Sequence, residues 1–306
     1  MTAISSPISK FVEGVMYRGR EGHWAYIFHR VSGLAILLFL AIHIVDTSWV
    51  AYAPELYEHA IELYRSLPFL ISEYFLFAAI AYHAVNGVNI ILKDTFPAWW
   101  NKHLQRNSFW KVIALSLLLW LPAAFFVTRN IVLYHFTPGY QGQGPVVAQP
   151  GLGIVYLIVP AVVIIVLAVL AYGGTFNQHA LAKAPRFVSV PGKNFETWSW
   201  LFMRWSGGLL ILVVFMHVLA NALLTGAHYI NLEYVAARWA QPLDWSATFI
   251  LLMLSFAHGV NGLRAVLGDY LKSDAANRVA GVVLFVVWVV ITGLGAYALF
   301  AGVRLS

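Results

Sequence analysis

Apolar residues run almost unbroken through seven stretches of the 306-residue chain, at about 27–50, 70–92, 110–134, 152–172, 201–224, 246–267 and 278–302. Each is near or above the roughly 20 residues that an α-helix needs to cross a bilayer's hydrocarbon core. Inside that core every backbone amide must be satisfied within its own segment, so such runs are read as helices. The pattern predicts an all-α fold, a polytopic transmembrane bundle of seven helices. Polar turns separate the runs, and the Gly- and Pro-rich segment Tyr140-Gln141-Gly142-Gln143-Gly144-Pro145, before the run at 152–172, reads as a fusion junction.

Composition sharpens this reading. The chain is 60% hydrophobic and 10% charged, with a mean hydropathy of +0.74, far from the usage of soluble domains. Cysteine is absent, so the chain supplies no thiolate to zinc or to an iron–sulfur cluster. Histidine is the remaining soft ligand. The first 26 residues contain Lys10, Arg18 and Arg20 but no apolar core, so they do not read as a signal peptide, and the N-terminus is expected to be retained and cytoplasmic. With the N-terminus inside, only Arg65, Arg129, Arg238 and Arg304 of the 19 Lys and Arg residues fall on the outer side. That bias fixes the expected orientation by the positive-inside rule, with the C-terminus outside and the protein in the cytoplasmic membrane. The basic pI of about 9.5 then follows from topology, not from nucleic-acid binding, and leaves a basic face for a soluble partner.

The two halves repeat. His29-Arg30-Val31-Ser32-Gly33 with His43 returns as Met203-Arg204-Trp205-Ser206-Gly207 with His217, and His83-Ala84-Val85-Asn86-Gly87 with Asp94 returns as His258-Gly259-Val260-Asn261-Gly262 with Asp269. The run at 152–172 has no counterpart. Two three-helix units of the same orientation require one extra crossing between them, so this run reads as a connector helix and the repeats as parallel. The expected organisation is residues 1–110 for an N-terminal segment and two helices of the first repeat, 110–135 for its third helix, 136–195 for the connector, and 196–306 for the second repeat.

Of eleven histidines, His43, His83, His217 and His258 lie well inside the runs, where an ionisable group is costly and generally functional. At about 1.5 Å per residue, His83 and His258 lie about 13 Å from the inner edge, and His43 and His217 about 24 Å. The result is two layers of two. A pair of neutral histidines on opposed helices is what bis-imidazole ligation of an iron porphyrin requires, so the pattern points to two stacked b haems. Gly33, Gly207, Gly87 and Gly262 recur beside them and are expected to leave room for a flat macrocycle. Arg30 and Arg204 stand at the inner ends of their helices, placed for haem propionates or as interfacial anchors. Tyr270, Arg30, Ser32 and Trp24 offer donors for a quinone headgroup near the inner surface, with Trp24 equally suited to anchoring. A cytochrome b subunit of another quinone-linked dehydrogenase, such as a hydrogenase or formate dehydrogenase, shares these features. A haem-free transporter with a parallel repeat is the reading from a different class.

The opening His29-Arg30-Val31-Ser32-Gly33 and the His-x-x-x-Gly-x-Arg pattern at His258 to Arg264 resemble the membrane-anchor subunits of succinate dehydrogenase and fumarate reductase, respiratory complex II. The resemblance spans about 20–110 and 195–302, as if two anchor polypeptides were fused. It implies that His83 and His258 hold one haem b, that His43 and His217 hold a second, and that Arg30, Arg204, Arg264 and His29 face propionates. It further implies a quinone site at Arg30, Ser32, Asp269 and Tyr270, with menaquinone the expected quinone. Iron–sulfur and flavoprotein subunits would dock on the cytoplasmic face, within a complex that is open to higher oligomerisation. Asn89 stands where the pattern has arginine, so the first half departs from it there.

Overall fold

A computed structural model describes residues 20–96, 100, 102–140 and 195–305. Eight α-helices are present among them: α1 (Glu21–Ser48), α2 (Pro54–Arg65), α3 (Leu67–Thr95), α4 (Lys102–Phe136), α5 (Phe195–Val218), α6 (Leu232–Trp239), α7 (Pro242–Tyr270) and α8 (Asp274–Ala301). Six of the seven predicted runs fall on α1, α3, α4, α5, α7 and α8, each long and apolar enough to cross a membrane. The chain is therefore a multi-pass membrane protein. The seventh run, 152–172, lies outside the described residues.

Helix boundaries follow local chemistry. Pro54, Pro68 and Pro242 stand in the first turn of α2, α3 and α7, where a missing N–H costs nothing. Ser273 caps α8 by accepting from the Ala276 amide, and Asn231 caps α6 through the Tyr234 amide. Gly302, at φ +79°, ends α8 in a conformation that side chains avoid.

The long helices expose large apolar side chains around their outer faces, as for Phe75, Val282 and Phe300. In lipid such exposure is no penalty. The interior is instead built around α1, α3, α5 and α7, with α4 against α3 and α8 against α7 and α1. At one end, here the basic end, stand Arg30, Arg204 and Arg264. At the far end α2 and α6 close over the bundle, packing Tyr57 and Ile61 against Leu232 and Val235. Arg65 fastens this cap by donating to the Ala227 and Ile230 carbonyls at 3.2 and 2.8 Å. Nearby, burial and then the Arg65 guanidinium push His228 down to about 4, which leaves it neutral where it stacks on Tyr134 at 3.6 Å.

Candidate functional site

A continuous cavity of about 1480 Å³ follows the bundle axis and is lined by His43, His83, His217 and His258, one from each of α1, α3, α5 and α7. A single small-molecule site usually occupies about 300–1,000 Å³, so the space exceeds one such ligand. The histidines approach in two facing pairs. His83 and His258 have ring centroids 6.4 Å apart at 86°, and His43 and His217 are 6.1 Å apart at 69°. Two imidazoles bonded to opposite sides of one metal ion, at about 2.0 Å per bond and about 1.1 Å from nitrogen to ring centre, have centroids about 6 Å apart. Both pairs are spaced for that ligation.

At the basic-end pair the hydrogen bonds assign the tautomer. The Nδ1 of His83 lies 3.1 Å from the His29 carbonyl, which can only accept, so Nδ1 carries the proton and Nε2 keeps its lone pair. Ser206 donates its hydroxyl to the Phe202 carbonyl and meets the His258 Nδ1 at 2.9 Å, so it accepts from that nitrogen. A second partner of this kind orients a ligating imidazole and raises its basicity. Ser32, the counterpart of Ser206, donates to the His29 carbonyl and lies 3.4 Å from the His83 Nδ1. The glycines beside these serines serve the same rings. A Cβ on Gly33 would stand 2.8 Å from the His83 ring, and one on Gly207 3.4 Å from that of His258. Gly33 thus makes room for the His83 imidazole across the helix interface, whereas the Gly207 contact is an ordinary one.

The far pair has unlike neighbours. His43 Nδ1 is 3.8 Å from the carboxylate of Asp46, which is buried and accepts from Tyr64 and Thr47. His217 is backed by Asn221, whose amide donates to the His217 carbonyl at 2.9 Å and accepts from Tyr234. Glu73 also lines the cavity toward this end, an acidic residue within the second apolar run that the sequence pattern did not single out.

At the basic end two ion pairs cross between the halves. Arg30 on α1 pairs with Asp269 on α7, and Arg204 on α5 grips Asp94 on α3 at 2.6 and 2.9 Å. Each guanidinium also lies over a ring four residues earlier, Tyr26 at 4.1 Å and Trp200 at 4.4 Å. The Tyr26 hydroxyl donates to Asp269 at 3.3 Å. Tyr26 was missed from sequence, yet its i, i+4 relation to Arg30 on one helix face was the available signal. Buried Nη1 of Arg30 and Nδ1 of His29 have no hydrogen-bond partner, and both residues line the cavity. Buried polar atoms without partners are rare in a finished site, and a carboxylate or carbonyl oxygen would satisfy the Arg30 donor. With facing imidazoles, small residues against their rings and orphaned polar atoms at one rim, the residues fit haem b.

Other expected positions fall elsewhere. Ser32 is turned to His29 and His83 rather than to the Arg30–Asp269 pair. Trp24 packs at a tilt against Phe28, is 37% exposed and does not line the cavity, in keeping with an interfacial anchor. Tyr270 is half-buried next to Asp269 at the end of α7. Arg264 is held by Glu196, Ser199 and Asn261 at 2.8–3.1 Å, and it does not line the cavity.

The model of the succinate dehydrogenase/fumarate reductase transmembrane subunit family matches this chain twice, over residues 13–123 and 186–295. The chain belongs to that family. It is also 34% identical, over 114 residues, to the succinate dehydrogenase 2 membrane subunit SdhC of Mycobacterium tuberculosis, an alignment covering 37% of this chain and 81% of that subunit. The two matched stretches contain all four histidines of the facing pairs, both Arg–Asp pairs and Tyr26.

Proposed function

We propose that the chain is the dihaem cytochrome b anchor of a succinate:quinone oxidoreductase, linking a cytoplasmic iron–sulfur subunit and its flavoprotein to menaquinone. The observation that carries this reading is the pair of facing histidines at each of two levels, 6.4 and 6.1 Å between ring centres, from four different helices. In this reading the architecture is two parallel three-helix repeats joined by a connector helix at 152–172, giving seven crossings of the cytoplasmic membrane with the basic end inside. The reciprocal Arg30–Asp269 and Arg204–Asp94 pairs support a two-fold relation between the repeats.

When bound, haem b supplies a one-electron carrier. His83 and His258 would hold one iron and His43 and His217 the other. Donation from Nδ1 to the His29 carbonyl and to Ser206 leaves Nε2 of the first two with its lone pair, free to ligate a metal. Arg30 and His29 present their open nitrogens to propionate or quinone oxygens. The quinone headgroup binds at the Arg30–Asp269 rim, where Tyr26 and Tyr270 add phenolic hydroxyls. Asp269 is 51% exposed and gives that rim a proton route to water. The related rim around Arg204 has Trp200 and Thr95 in place of the two tyrosines, so one quinone site, not two, is built at this end.

The test is to purify the native complex through a tag on this chain and identify its subunits. A flavoprotein and an iron–sulfur protein should accompany it, with succinate-driven reduction of menaquinone. Recovery with hydrogenase or formate dehydrogenase subunits, or of the chain alone without haem, would contradict the proposal.

A further inference from the structure

Lys93 stands near the basic end of α3, ten residues beyond His83, and is only 8% exposed. It lines the same cavity as the histidines. Of the other cations that line it, Arg30, Arg204 and Arg238 each pair with a carboxylate, to Asp269, Asp94 and Asp244, and Arg20 is exposed. None of the ion pairs among the described residues involves Lys93. Its ammonium lies 5.6 Å from the centre of the Trp100 ring, a contact that leaves its charge uncompensated. A buried ammonium is costly without an anionic partner.

The position supplies the reason. The first half has Asn89 where the second has Arg264, and Lys93 is one helical turn further along, on the same face as Asn89. Side chains on a helix lean toward its N-terminus. In α3 the Lys93 ammonium is instead directed toward Trp100, past the C-terminal end of the helix, and Lys93, Asn89 and Trp100 all line the cavity at this rim. The second half's arginine is instead occupied by Glu196 outside the cavity.

We propose that Lys93 is an anion-binding residue of the basic-end cofactor site, its ammonium taking a propionate carboxylate of the haem held between His83 and His258. The inference rests on the haem reading above and adds a residue to it. The first half thereby recovers, one turn later, the cation that Asn89 removes, and the one long basic side chain suits a single point-charge contact more than a bidentate one.

The test uses the intact complex purified with Lys93→Met or Lys93→Arg. Removing a nearby positive charge favours the oxidised haem, and one unit charge at about 10 Å and an effective permittivity near 20 amounts to roughly a tenfold shift. In a redox titration of the α-band, Lys93→Met should lower one of the two midpoints by about 59 mV, the one-electron equivalent of tenfold, while Lys93→Arg retains it. Unchanged midpoints in Lys93→Met, with two haems present, would overturn the proposal. It also fails if that variant instead loses a co-purifying anionic phospholipid, since the lysine would then hold a lipid phosphate. If Lys93→Met does not assemble, Lys93→Arg decides through the redox-difference infrared spectrum of complex carrying haem with 13C-labelled propionates. A shifted carboxylate band supports the contact, and an unshifted one refutes it. A wild-type complex without haem would instead refute the haem reading itself.

Discussion

His258→Leu or His83→Leu should remove one haem and spare the other, cutting the reduced α-band absorbance by about half. His43→Leu or His217→Leu should do the same to the other haem. The expectation rests on geometry: each pair faces across its own pair of helices, α3 with α7 and α1 with α5. Loss of a ligand therefore acts locally, although Leu at either level also adds apolar contact that keeps the bundle packed. The remaining haem should keep its midpoint to within the spread of wild type. Loss of both haems from each single variant, in protein that still inserts, would mean that the two levels are not independent.

The second large effect concerns the rim at the basic end. Arg30→Leu deletes the donor that pairs with Asp269 and leaves a carboxylate without its counter-ion. Succinate:quinone turnover should fall on the order of a hundredfold, as for removal of a placed charged donor. Reduction of an artificial acceptor at the soluble subunits should be unchanged. Tyr26→Phe and Tyr270→Phe each remove a single hydroxyl, and each should cost less than Arg30→Leu in the same assay. Trp24→Phe should leave turnover at the wild-type level, because the indole lies outside the cavity. A site at the far end would reverse this order, with substitutions at Asp46 abolishing turnover and those at Arg30 leaving it intact.

Most of the bundle was legible because lipid imposes a simple rule. A helix that must satisfy its own backbone in hydrocarbon leaves an apolar run of spanning length, and α1, α3, α4, α5, α7 and α8 all did. The short helices α2 and α6 leave no such run. They are amphipathic segments over the far end, and their apolar faces are defined by tertiary packing, with Tyr57 and Ile61 meeting Leu232 and Val235 from the other half of the chain. The four histidines were legible through repetition, since one buried histidine has many explanations and four at matched positions have few.

The roles of the surrounding residues were less so, because they depend on which helix faces which. Ser32 and Gly33 sit in the arginine's motif but act on His83, which follows the serine by 51 positions. Arg264 was expected at the cavity, and nothing in its own motif announces that Glu196, at the start of α5, captures it. Tyr26 and Lys93 were each within one turn of a position already singled out. Helical spacing would have found them had the faces been extended by a turn in either direction.

Whether the paired histidines hold two haems is tested most directly by haem analysis of the unmodified complex. Pyridine haemochrome absorbance, set against protein determined by amino-acid analysis, should give about two b haems per chain. A value of one would leave the His43–His217 pair without a haem, and a value of zero would contradict haem ligation by either pair.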